Sequence, residues 1–160
     1  MNGARSTVPP SFEIDIQRGG GLGLVPDDEE IGRWADVAMQ LVNKRAAFCI
    51  RITDDVEIAG LNAEFRHGTG PTNVLSFPCE LEDEAGVSLL GDVVLCAPVI
   101  QREAEDQHKA LSAHFAHMVL HGILHLLGYD HQNSADSEVM EQMEAKLLDQ
   151  LGFADPYQPM

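Results

Sequence analysis

The sequence predicts an α+β fold, a small four-stranded mixed sheet packed with about five helices, one of them central. Three observations predict it. Four short runs, at Phe12–Gln17, Ala46–Ile52, Asn73–Phe77 and Asp92–Ala97, show strand alternation or continuous apolar composition. Five longer stretches repeat apolar residues at helical spacing. One of these, Leu111–Leu127, is apolar nearly all round and therefore belongs inside.

Taken in order, the first dozen residues read as a loose terminus. Phe12, Ile14 and Ile16 then alternate with Glu13, Asp15 and Gln17, the period of a half-buried strand. Gly19–Gly21 is a turn. Pro26 to Glu30 is an acidic helix start that complements the helix dipole, and Ile31, Trp34, Ala35, Ala38, Leu41 and Val42 continue it. After the second strand, Asp54 caps a helix to about Phe65, with Val56, Ala59, Leu61 and Phe65 as apolar positions. HGTGPT at 67–72 is a loop, and LEDEAGVS at 81–88 is an acidic connection between the third and fourth strands. Pro98 suits a first helical turn and opens a helix to about Lys109. The central helix stops at Gly128, a residue suited to a left-handed position after a helix end. A last helix spans about Ser134 to Leu151, with an acidic face and with Val139, Met140, Met143 and Leu147 inward. No repeat or linker interrupts the chain, and residues 1–160 suit one domain.

Composition narrows the function. No apolar run is long enough to span a bilayer, and the N-terminus has no signal-like apolar region, so a cytoplasmic protein without a membrane partner is expected. Cys49, Cys79 and Cys96 are widely spaced and odd in number, which suits buried free thiols better than a disulfide framework or a zinc ribbon. The net charge of −16, from 10 Lys and Arg against 26 Asp and Glu, argues against unaided binding to nucleic acid. A local basic patch or a bound metal can reverse that locally.

Four of the seven histidines, His114, His117, His121 and His125, fall on one stripe of the central helix. Buried imidazoles need partners for both ring nitrogens, so this stripe requires a cause. His121 and His125 are neighbours one turn apart and can converge on one ion; a turn at Gly128-Tyr129-Asp130 lets His131 return to the same point. Three protein nitrogens leave a fourth tetrahedral position open, as in catalytic rather than structural zinc sites. The expectation is one zinc ion on His121, His125 and His131, although imidazole sites also accept nickel, copper and iron. The spacing His-x3-His-x5-His, with Gly128 between, matches the metzincin pattern H-E-x-x-H-x-x-G-x-x-H except that Gly122 replaces the Glu that serves as base. His114 and His117 suit support behind the ligands, or packing, rather than ligation. Asp130 suits either orientation of an imidazole or a turn hydrogen bond to its own backbone. Met140 and Met143 sit at helical spacing and suit core packing rather than a Met-turn.

HGILHLLGYDH at 121–131 resembles the signature of the YbeY family, bacterial endoribonucleases and ribosomal RNA maturation factors. The resemblance extends to LNAEFR (61–66), PTNVLSFP (71–78), GDVVLC (91–96), HFAHMVLHG (114–122) and LGFADPY (151–157), and so covers about residues 55 to 157. It implies a metal-dependent, single-strand-specific endoribonuclease that processes ribosomal RNA, notably the small-subunit 3′ end, and acts in late ribosome quality control. The implied partners are single-stranded RNA and ribosomal RNA, with small-subunit ribosomal proteins or an assembly GTPase, and no DNA. The family's three zinc-binding histidines correspond to His121, His125 and His131, and its functionally important arginine to Arg66.

The expected chemistry is phosphodiester hydrolysis in which zinc activates water or polarises a phosphoryl oxygen, while Arg66 clamps the phosphate with its planar fork of donors. Without the family pattern, Arg66 reads as a solvated residue at a helix end. Two other functions fit the same residues. One is a zinc-stabilised ribosome-assembly factor that cuts nothing, which the acidic balance suits. The other is a zinc-dependent amide hydrolase, which the histidine spacing allows and Gly122 opposes.

Overall fold

The computed structural model describes residues 12–158; the loose terminus expected for the first dozen residues lies, but for Phe12, outside them. The element order is β1 (Phe12–Arg18), α1 (Asp28–Met39), β2 (Ala46–Thr53), α2 (Asp55–Arg66), β3 (Val74–Glu82), β4 (Ser88–Cys96), α3 (Ala97–Asp106), α4 (Leu111–Leu126) and α5 (Ser134–Gln150). The sheet runs β1-β2-β4-β3. β1, β2 and β4 are parallel, with Ile14 beside Phe48 and Ile50 beside Val93, and β3 is an antiparallel edge paired to β4. The expected mixed α+β architecture is the one observed.

Strand alternation sorts the two sheet faces. Val93 and Leu95 of β4 join Ile50 and Ile52 in the main core with α1, α3, α4 and α5, while Val94 and Cys96 face the other way and meet Ile58 of α2. Helix α4 fills the centre of the main core, with all of Phe115 to Leu120 buried. Its C-terminal end is shaped by local chemistry. At the C-terminal end Tyr129 N–H bonds the Leu124 carbonyl and Gly128 N–H that of His125, a Schellman turn in which Gly128 takes φ +101°. The same turn closes α5 at Gly152 and brings Phe153 edge-on to the buried Trp34, 6.4 Å between centroids.

Several element details differ from expectation. α1 stops at Met39, where Leu41 and Val42 tighten into i→i+3 bonds, so these two residues leave the helical face; Leu41 is exposed. In α2 the buried anchor is Ile58, while Val56 and Phe65 are exposed. Residues two apart lie about 200° round a helix, so Val56 and Ile58 cannot share a face. In α5, Val139 faces solvent and Glu144 takes an inward place. The acidic connection is shorter than expected, because Leu81 and Glu82 extend β3, Ser88 begins β4, and Asp83 closes the turn, its Oδ1 accepting from the Ala85 and Val87 amides and its own amide donating to the Val87 carbonyl. Cys96 is buried, and Cys49 and Cys79 are half-buried. No helix among the described residues is long and apolar enough to cross a membrane.

Candidate metal centre

His121 and His125 stand one turn apart on α4, and the Schellman turn brings His131 back towards them. One ring nitrogen from each of the three lies within 4.8 Å of the others. Ring centroids are separated by 4.7 Å for His121 and His125, 4.9 Å for His125 and His131, and 5.8 Å for His121 and His131. His121 and His125 are half-buried and His131 is exposed, so the cluster opens to solvent on the loop side. The position of His131 is held locally: its amide donates to Asp130 Oδ1 at 2.7 Å, and Ser137 Oγ of α5 donates to its carbonyl at 3.4 Å. Asp130 therefore makes the turn contact of its two expected roles.

Burial lowers the pKa of His125, and the neighbouring His121 and His131 lower it further. That favours the neutral imidazole, the form that binds metal. Three converging imidazoles are a donor set for a zinc-type divalent ion, and the residues could hold one.

The other two histidines of the stripe each meet a carboxylate through Nε2, while the buried Nδ1 of each has no hydrogen-bond partner among the described residues. His114 Nε2 lies 2.9 Å from Glu103 Oε1, and Asn73 Nδ2 donates to the same carboxylate. Burial lowers the His114 pKa despite the opposing pull of Glu103. His117 Nε2 donates to Glu144 Oε1 at 2.6 Å, and His121 Nδ1 donates to Glu144 Oε2 at 2.6 Å. The Tyr157 hydroxyl also donates to Glu144 Oε1. Burial alone would raise the Glu144 carboxyl, but the hydrogen bonds from His117 and His121 hold it down at about 2.

Gly122, the residue after His121, rests against the sheet. A Cβ there would lie 2.5 Å from Val93 Cγ1 and 3.3 Å from Val74 Cγ2. Met140 is in the core, as its helical spacing suggests, and borders a small cavity with His121 and His131. On the other side, His125 and Asp130 border a groove of about 940 Å³ along β3, lined also by Lys44, Glu80 and Glu82.

A family model described as Endoribonuclease YbeY matches residues 27–152. The chain belongs to the YbeY family. Endoribonuclease YbeY of Cellvibrio japonicus (strain Ueda107) is 45% identical over 147 residues, 91% of this chain and 83% of the relative. Endoribonuclease YbeY of Pseudomonas entomophila (strain L48) is 46% identical over 147 residues, 91% of this chain and 93% of the relative. The solution structure of TM1509 from Thermotoga maritima is similar with a TM-score of 0.59 at 24% identity, covering 93% of this chain and all of that one, which supports the fold.

The residue singled out by the YbeY resemblance outside the histidines, Arg66, ends α2 on the sheet face away from the main core. Its guanidinium donates to the Ser76 carbonyl and stacks over Phe77, 4.9 Å from the ring centroid. Among the described residues it lines neither cavity that touches the histidines. Ser76 joins the two places, because its Oγ donates to the Gly122 carbonyl at 3.0 Å. Sequence reasoning missed Glu103, Glu144 and Tyr157. For Glu144 a signal existed, since it lies at i+4 from Met140 and i−4 from Leu148, a lone acid on an apolar stripe.

Proposed function

We propose that this chain is a zinc-dependent, single-strand-specific endoribonuclease that matures ribosomal RNA, notably the small-subunit 3′ end, and acts in late ribosome quality control in the cytoplasm. The observation that carries the proposal is the convergence of one nitrogen each from His121, His125 and His131 in a YbeY-family chain. A divalent ion on these residues supplies Lewis-acid activation of water and polarisation of a phosphoryl oxygen.

The chain's own residues supply the rest. Desolvation favours the neutral form of His125, and Asp130 and Ser137 hold the backbone at His131. Arg66 is the phosphate clamp of this proposal. Arg66 touches Ser76 and Phe77 and is an exposed residue, which supports that role. Single-stranded RNA is the substrate, and small-subunit ribosomal proteins or an assembly GTPase deliver it. The test is cleavage of a single-stranded RNA beside its duplex: the single strand is cut, the duplex is not, and a chelator stops the reaction until zinc is returned. Cleavage untouched by chelation would defeat the proposal.

A non-catalytic assembly factor is a second reading, favoured by the net charge of −16 and by the acidic groove beside His125. Under that reading a His125→Ala chain without zinc-dependent activity still restores ribosome assembly in a deletion strain. Amide hydrolysis draws less support, because Gly122 is packed where the peptidase base would be attached.

A further inference from the structure

Among the inward residues of α5, Glu144 is wholly buried. A carboxylate shielded from water is tolerated only where donors fill its oxygens. Here the donors come from two elements: His117 and His121 of α4, and the Tyr157 hydroxyl from the segment beyond α5. His117 and His121 are one turn apart, and the single carboxylate bridges them, one oxygen to each. Asp155 Oδ1 accepts from the Tyr157 amide at 2.8 Å and turns that segment towards the carboxylate.

A neutral imidazole that gives its Nδ1 proton to a carboxylate keeps its lone pair on Nε2. The Glu144 contact therefore leaves Nε2 of His121 as the nitrogen able to ligate. A carboxylate behind an imidazole also makes it a more basic ligand and fixes the ring plane. A buried negative charge in this place offsets part of the charge that a cation brings. His117 bonds Glu144 through Nε2 and lies outside the cluster of His121, His125 and His131, so it is a support and not a fourth ligand.

We propose that Glu144 is a positioning residue of the metal centre: it fixes the tautomer and ring orientation of His121, and His117 and Tyr157 hold its carboxylate in place. The proposal rests on the reading that His121, His125 and His131 hold an ion. It makes the C-terminal segment part of the centre, since Tyr157 lies outside the histidine motif and bonds the group behind it.

The experiment has two arms. Long-range nitrogen–proton NMR on metal-free, histidine-labelled wild type reads the tautomer of His121 directly; protonation on Nδ1 is expected, and protonation on Nε2 overturns the proposal. Competition against a chromophoric chelator then gives zinc affinity for wild type, Glu144→Gln, Tyr157→Phe and, as control, His125→Ala. Glu144→Gln is expected to lose about 10- to 100-fold in zinc affinity and to alter the visible spectrum of the cobalt(II) protein, with a smaller loss for Tyr157→Phe. Glu144→Gln that keeps the native circular dichroism and binds zinc like wild type overturns the proposal. If Glu144→Gln does not fold, the wild-type tautomer and Tyr157→Phe decide. If wild type takes up no zinc, the ligand reading fails, and the tautomer of His121 still decides whether Glu144 positions that ring.

Discussion

A Cβ placed on Gly122 would sit 2.5 Å from Val93 Cγ1, so α4 meets β4 with nothing but backbone at that point. The metzincin pattern puts its catalytic Glu at this position, and here the position is spent on packing. Gly122→Ala gains about 1 kcal/mol in helix propensity and loses about 1–3 kcal/mol to overpacking. The expected result is a net destabilisation in urea unfolding, with Gly122→Glu worse and no peptidase activity created. An alanine variant more stable than wild type would contradict this close contact.

Much of this arrangement was legible in the sequence, and the reasons are local. Ile14 and Ile16 alternate with acids in β1, the acidic run ending at Glu30 opens α1, and Gly128 stops α4. Each is a rule about near neighbours. The histidine cluster was legible for the same reason, since a turn and a helix period bring residues 121, 125 and 131 together. What was not legible depends on distant packing. Nothing near Glu144 announces His117 and His121, 27 and 23 positions away. Val56 and Ile58 carry equal apolar weight in sequence, and only the position of Leu75 and Val94 selects Ile58 for burial.

Removing the metal should lower thermal stability. Zinc at a hundred times its dissociation constant stabilises the native state by about 2.7 kcal/mol. At about 2–4 °C per kcal/mol for a chain of this size, a chelator should lower Tm by about 5–11 °C. Differential scanning calorimetry checks this, and His125→Ala should show no such shift. An equal shift in that variant would place the stabilising ion elsewhere.

Acid should destabilise the metal-free protein in two windows. His114 and His125 fold with lowered pKa values, burial being the first cause in both. The unfolded chain then takes up protons first, so stability is full above about 6.5 and declines as pH falls towards the folded values. Glu144 folds with a pKa of about 2 against its ordinary 4.5, so its stabilisation is present above 4.5 and is lost as pH falls towards 2. Urea unfolding at stepped pH reads both windows, and Glu144→Gln should flatten the lower one. Stability that is level from pH 7 to 5 would count against the histidine assignments.

Arg66→Ala should leave zinc content unchanged and reduce RNA cleavage. A charge-assisted hydrogen bond to phosphate contributes about 1.5–3 kcal/mol, so the loss should be about 10- to 150-fold. Arg66→Lys should recover only part of it, because an ammonium lacks the planar fork. Unchanged cleavage in the alanine variant removes Arg66 from the reaction and leaves its bond to Ser76 as a structural contact.

The most direct measurement is single-stranded RNA cleavage by zinc-loaded wild type beside His125→Ala, with metal content determined on both samples. One zinc per wild-type chain, none on His125→Ala, and cleavage by wild type alone is the predicted result. Zinc bound to wild type without any cleavage, or equal cleavage by both proteins, would contradict a ribonuclease built on His121, His125 and His131.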